Sequence, residues 1–156
     1  MDELKKGIWK VEMLWWMFTA LAVVIVMLPI YLEVPDFPFV GYNILYIVLA
    51  ITFTRYIFLL KHTPVAYSLP FKIVIPLITL VMLLLLQDGL AEFQRVLDEE
   101  GFMVFMGDMS TKKATGLAKY IRAEYFFFGV STIICSIVLP FRMIVSIWRQ
   151  KNRGTV

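Results

Sequence analysis

The chain has 156 residues, 60% of them hydrophobic and 17% charged, with a formal net charge of +3. Soluble domains run nearer about 45–50% apolar and about 25% charged, so the composition excludes an ordinary soluble domain and points to a membrane protein. The charge is too small and too interrupted by apolar runs for a nucleic-acid binder, and the single cysteine, Cys135, leaves no intrachain disulfide.

The N-terminal stretch carries Lys5, Lys6 and Lys10, and residues 13–32 then run without a charge. That run exceeds the about 7–15 residues of a signal-peptide core, so a first span is expected over about 12–32. Trp9, Trp15 and Trp16 crowd its start, where amphipathic rings favour the headgroup level. Residues 33–38 read EVPDFP, a turn broken by two prolines. A second span follows over about 39–60, with Arg55 and Tyr56 near its far end, and a proline-bearing loop over 61–70.

The third span is expected over about 71–89. Lys72 at its start lays its methylene stem along the helix, and Pro76 falls in its first turns. The longest polar segment, about 90–123, opens with Leu90, Phe93, Val96 and Leu97 at helical spacing, an amphipathic pattern. Gly101 is its expected stop, Phe102 and Phe105 form a second apolar patch, and Ser110 is a candidate N-cap for a basic helix. That helix runs toward a fourth span over about 124–148, which holds no charge between Glu124 and Arg142. About 20 apolar residues cross a bilayer, so this run suffices. Ser131 and Cys135, and Thr132 and Ser136, stand four apart, a spacing that lets helices approach closely.

These features predict an all-α polytopic membrane protein, a four-transmembrane-helix bundle with an amphipathic segment between helices 3 and 4. The N-terminus, the 61–70 loop and the C-terminus with their flanks carry ten basic residues, against five for the other side. The basic side is expected to face the cytoplasm, with both termini inside and a bacterial inner (cytoplasmic) membrane as the location. All four tryptophans, Trp9, Trp15, Trp16 and Trp148, fall on that same boundary.

Arg55 and Arg142 each lie a few residues inside the cytoplasmic end of a span, and Glu12 and Lys72 fall near the same level. A charge within a span marks a functional site by default, here a cluster of Glu12, Arg55, Lys72 and Arg142 for an anionic lipid headgroup or substrate. The alternative is that the long side chains snorkel to the interface. Leu90, Phe93, Leu97, Phe102 and Phe105 form a second candidate, a face that docks on the membrane, the bundle or a partner. His62 is the only histidine, so no multi-histidine metal site or bis-histidine haem forms within one chain, and no cofactor is expected. Asp98, Glu99, Glu100 and Asp108 lack calcium-loop spacing and read as a wet helix face. Asp88, Glu92 and Glu124 read as ordinary interfacial charge, and no nucleophile–base or phosphate-loop motif occurs.

The expected function is therefore a non-enzymatic accessory or scaffold subunit of a larger membrane assembly, reached by elimination. Its partners would be membrane lipids, other membrane subunits or copies of itself. The alternative is an oligomeric transporter or channel, which needs polar groups near the midplane. Reporter domains fused to the two ends are expected to score on the same, cytoplasmic side. Opposite sides would refute the span count.

Overall fold

The computed structural model describes residues 2–107 and 109–154, without the side chains of residues 2–6 and 153. Asp108 and the side chains of Lys5 and Lys6, named above, and of Arg153, another of the ten basic residues, lie outside the described residues. The described residues form four α-helices: α1 (Asp2–Glu33), α2 (Val40–Phe58), α3 (Leu69–Glu99) and α4 (Thr111–Arg153). Each contains a stretch long and apolar enough to cross a membrane, and the protein is an all-α four-helix membrane bundle. Short 3₁₀ turns at Leu60–His62 and Pro64–Tyr67 join α2 to α3, and another at Phe102–Phe105 joins α3 to α4.

The cross-helix bonds give the direction of each helix. At one end α1 meets α2 through Glu12 and Arg55, α2 meets α4 through Ile57 and Arg142, and α3 meets α4 through Lys72 and Gln150. At the other end Val26 meets Tyr120, Asn43 meets Glu124, and Tyr46 meets Leu86. The helices therefore run up, down, up and down. The first end holds both chain termini and is called the terminal end; the second holds the α1–α2 and α3–α4 connections and is called the hairpin end. α4 is the centre of the bundle, packing most extensively on α2 and α3.

The helices outrun the predicted spans because charge alone does not stop a helix. α3 passes through Asp88 and Gly89 and ends only before Gly101, whose φ of +73° is a conformation that glycine adopts without a Cβ clash. Residues 90–99 therefore continue α3 rather than form a helix of their own, and residues 111–123 are the first turns of α4. At 1.5 Å per residue α3 is about 46 Å long and α4 about 65 Å, against a bilayer core of about 30 Å. Ser110 is the residue at the start of α4, but its hydroxyl makes no capping bond. Pro76, expected in the first turns, lies inside α3, which starts at Leu69 and has Pro70 in its first turn. Having no N–H, Pro76 leaves the carbonyl of Lys72 without its helical partner.

The larger core fills the hairpin end. Phe93 stacks on Tyr125, centroids 3.9 Å apart, and Phe39 and Tyr46 meet that pair edge-on at 5.2 Å. Phe37, Phe102 and Phe105 extend the aromatic set across both connections. A second core at the terminal end joins Phe53, Leu60, Val65, Ala66, Leu139 and Met143. Lys113 pairs with Glu33, tying the start of α4 to the end of α1.

Gly89 lets α3 approach α2. A Cβ there would lie 2.6 Å from the Tyr42 ring at Cε1 and 2.8 Å from the Tyr46 hydroxyl. That hydroxyl is held by the Leu86 carbonyl at 2.6 Å and cannot swing away freely. Gly89→Val is expected to destabilise the bundle by about 1–3 kcal/mol through overpacking, read as a lower unfolding midpoint in detergent. An unchanged midpoint would show that the two tyrosines yield at no cost.

Candidate functional site

The charged and amide side chains buried among the helices gather at the two ends. At the terminal end Arg55 forks onto Glu12: Nη1 donates to Oε1 at 3.1 Å and Nη2 donates to Oε2. Arg55 is 5% exposed and Glu12 7%. Trp16 Nε1 donates to the same Oε1 at 3.1 Å, and the guanidinium lies 5.6 Å from the Trp15 ring and 5.9 Å from the Tyr56 ring. The carboxylate and the fork match in geometry and cancel in charge, which is what makes such a couple tolerable away from water.

Of the four residues expected to form one anion cluster, the structure joins Arg55 and Glu12 directly as an ion pair. Arg55 does not snorkel, and Glu12 already answers its charge. Lys72, 1% exposed, donates from Nζ to Gln150 Oε1 at 2.7 Å. Arg142 donates from Nε to the Ile57 carbonyl at 2.9 Å. Both of these cations have neutral partners, and each feels the charge of the other or of Arg149. Depth along the helix grouped the four residues; their angle around it separates a neutralised pair from two cations that have no counter-charge among the described residues.

Of the coverings expected for the second candidate face, the structure shows the bundle. Phe93 is fully buried, and Leu90, Leu97, Phe102 and Phe105 pack against the same hairpin-end core. The bundle buries Phe93 and covers the other four in part. What stays in water beside them is polar: Arg95 pairs with Glu92 and Glu99 on the exposed side of α3.

At the hairpin end Asn43 Nδ2 donates to Glu124 Oε1. Asn43 is fully buried and Glu124 is 8% exposed, so Glu124 is not the interfacial charge that its sequence position suggests. Asp88 and Glu92 by contrast are exposed. Asn43 Oδ1, Glu124 Oε2 and Ser146 Oγ are buried without a hydrogen-bond partner. Sequence reasoning passed over Asn43, although it is the one amide in α2 and so stood out in an apolar run. The role of Gln150, beyond the span, carried no comparable signal.

Deeper in the spans four hydroxyls bond to backbone carbonyls, Thr19 to Trp15, Thr79 to Ile75, Thr132 to Tyr46 and Ser136 to Thr132, and the Thr54 hydroxyl lies 3.6 Å from Cys135 Sγ. A groove of about 310 Å³ opens beside Arg55, walled mainly by apolar side chains such as Phe18, Ala50, Ile51 and Phe127. Among the described residues no three His, Cys, Asp or Glu side chains come together as a metal site.

Arg55→Gln is expected to cost about 3–5 kcal/mol, because it strands the buried Glu12 carboxylate. The double change Glu12→Gln with Arg55→Gln is expected to recover much of that loss in the same thermal-unfolding assay. Two additive losses would mean that the pair is not coupled. No family model, no curated protein and no solved structure matches the chain.

Proposed function

We propose that the protein is a non-enzymatic accessory or scaffold subunit of a larger membrane assembly. The observation that supports this most is where the polar and apolar groups lie. Deep in the spans, Thr19, Thr79, Thr132 and Ser136 all bond to backbone carbonyls, so these four hydroxyls are not free to line a solute path. Meanwhile α1 and α3 expose long apolar faces: Met13, Met17 and Leu21 on one, Leu77, Val81 and Leu84 on the other. Such faces suit acyl chains or the spans of another subunit equally well.

The headgroup reading narrows to Arg142, half-buried and without a counter-anion among the described residues, with Lys72 adding to the local field. In this reading the terminal end faces the cytoplasm of a bacterial inner membrane, where the leaflet is anionic. Arg142→Gln is expected to lower the anionic lipid that copurifies with the protein, while Arg55→Gln leaves it unchanged in whatever fraction folds.

The decisive experiment is affinity purification from native membranes in mild detergent, followed by mass spectrometry. A stoichiometric membrane partner is expected. A homo-oligomer that moves an ion across liposomes would overturn the scaffold reading in favour of a channel or transporter.

A further inference from the structure

The couple at the hairpin end differs from the one at the terminal end in a way that has chemical consequences. Arg55 brings a positive charge to Glu12; Asn43 brings none to Glu124. Asn43 Nδ2 occupies one carboxyl oxygen, and the remaining two acceptors of the couple, Asn43 Oδ1 and Glu124 Oε2, are both buried and both without a donor. Two orphaned acceptors on partners already in contact lack one shared thing, a hydrogen.

The surrounding groups do not supply it. The tyrosine hydroxyls on the adjoining turns are committed to backbone carbonyls: Tyr120 to Val26 at 2.9 Å, Tyr125 to Gly89 at 3.3 Å and Tyr46 to Leu86 at 2.6 Å. Tyr42 stacks on Tyr46. Of the cations nearby, Lys113 pairs with Glu33 on α1, and Arg95 of α3 is held by Glu92 and Glu99. Lys119 and Arg122 on α4 are exposed, and among the described residues no cation forms an ion pair with Glu124. Asp88, the remaining charged group of α3 near this level, is exposed and of the wrong sign.

We propose that Glu124 is a proton-binding site: the folded protein carries a proton on Oε2, and the neutral acid donates it to the Asn43 amide oxygen. One proton then answers both orphaned acceptors. Carboxylic acid and amide face each other through two hydrogen bonds, N–H to Oε1 and O–H to Oδ1, and no charge is left. The proton comes from water at the hairpin end, carboxylate plus proton giving acid, with no other bond made or broken. A bound water would satisfy the same two acceptors but leave a buried carboxylate without a counter-charge, the most costly of the arrangements. A hard metal ion asks for about six or more oxygens, and the couple offers two.

The test is infrared spectroscopy of the purified protein in lipid at neutral pH. A carbonyl stretch of a protonated carboxyl is expected, shifting with isotope-labelled glutamate and absent from Glu124→Gln. Asn43→Ala is expected to move that band, since the amide no longer accepts from the acid. Glu124→Gln, an uncharged mimic, is expected to unfold at or above the midpoint of the unaltered protein and to lose its pH dependence. For the unaltered protein stability falls as pH rises, because the folded state holds a proton that the unfolded state has released. Carboxylate bands alone in the unaltered, labelled protein at neutral pH would overturn the proposal even if Glu124→Gln does not fold. So would a band that appears or vanishes when sodium replaces an organic cation, which would make a metal ion the ligand.

Discussion

Inside an apolar slab no water is at hand, so each polar side chain that α2 carries into the bundle has to be answered by another helix. α2 carries two of consequence, Asn43 near its start and Arg55 near its end. They stand twelve positions apart, about 18 Å along the axis. Asn43 is answered by α4 and Arg55 by α1. Sliding α2 by a single turn against either neighbour would strand an amide, a guanidinium or two carboxyls. These couples therefore set the register in which the apolar faces then pack, something that Leu against Leu does not specify.

The aromatic core follows from that register. With Asn43 held against Glu124, the neighbouring Tyr46 and Tyr125 are brought edge to face, and Phe93 of α3 closes over Tyr125. Gly89 and Gly129 leave the room for this approach: a Cβ on the first would strike Tyr42 and Tyr46, and on the second would lie 2.9 Å from Leu90. The part of α3 and α4 that extends past the bilayer thickness continues the same packing through Val96, Ala114 and Ile121. The extension is thus a paired structure with buried aromatics inside and charge outside. A partner that meets the hairpin end meets Glu92, Arg95, Lys119 and Arg122, whereas one that meets the spans of α1 or α3 meets aliphatic surface.

How much of this was legible in the sequence depends on which coordinate is asked for. Apolar run length gives the number of spans, and prolines 35, 38, 64 and 70 mark the breaks between α1, α2 and α3. Depth is legible as well: Glu12, Arg55, Lys72 and Arg142 do sit at one end of the bundle. Rotation about the helix axis is not, because it is chosen by the neighbouring helix; this is why Arg55 found Glu12 while Arg142 turned to a backbone carbonyl. α3 also runs on past residue 89, for a related reason, while the basic helix over 111–123 joins the fourth span without a break. A change from apolar to charged residues marks where the solvent changes, and the backbone bonds of α3 and α4 run through it until Gly101 and Ser110.

The two couples answer one constraint by different means, and the difference follows from the side chains themselves. A guanidinium keeps its charge under all ordinary conditions, so its partner has to be a carboxylate. An amide has no charge to offer, so a carboxyl facing it in the absence of water is compatible with burial only as the acid. The terminal end is thereby fixed by a pair of opposite charges, while the hairpin end, in the arrangement proposed above, is fixed by a bond whose hydrogen comes from the solvent. A protein that anchors other subunits would, on this account, hold one end of its bundle firmly and leave the register of the other open to the pH on that side of the membrane.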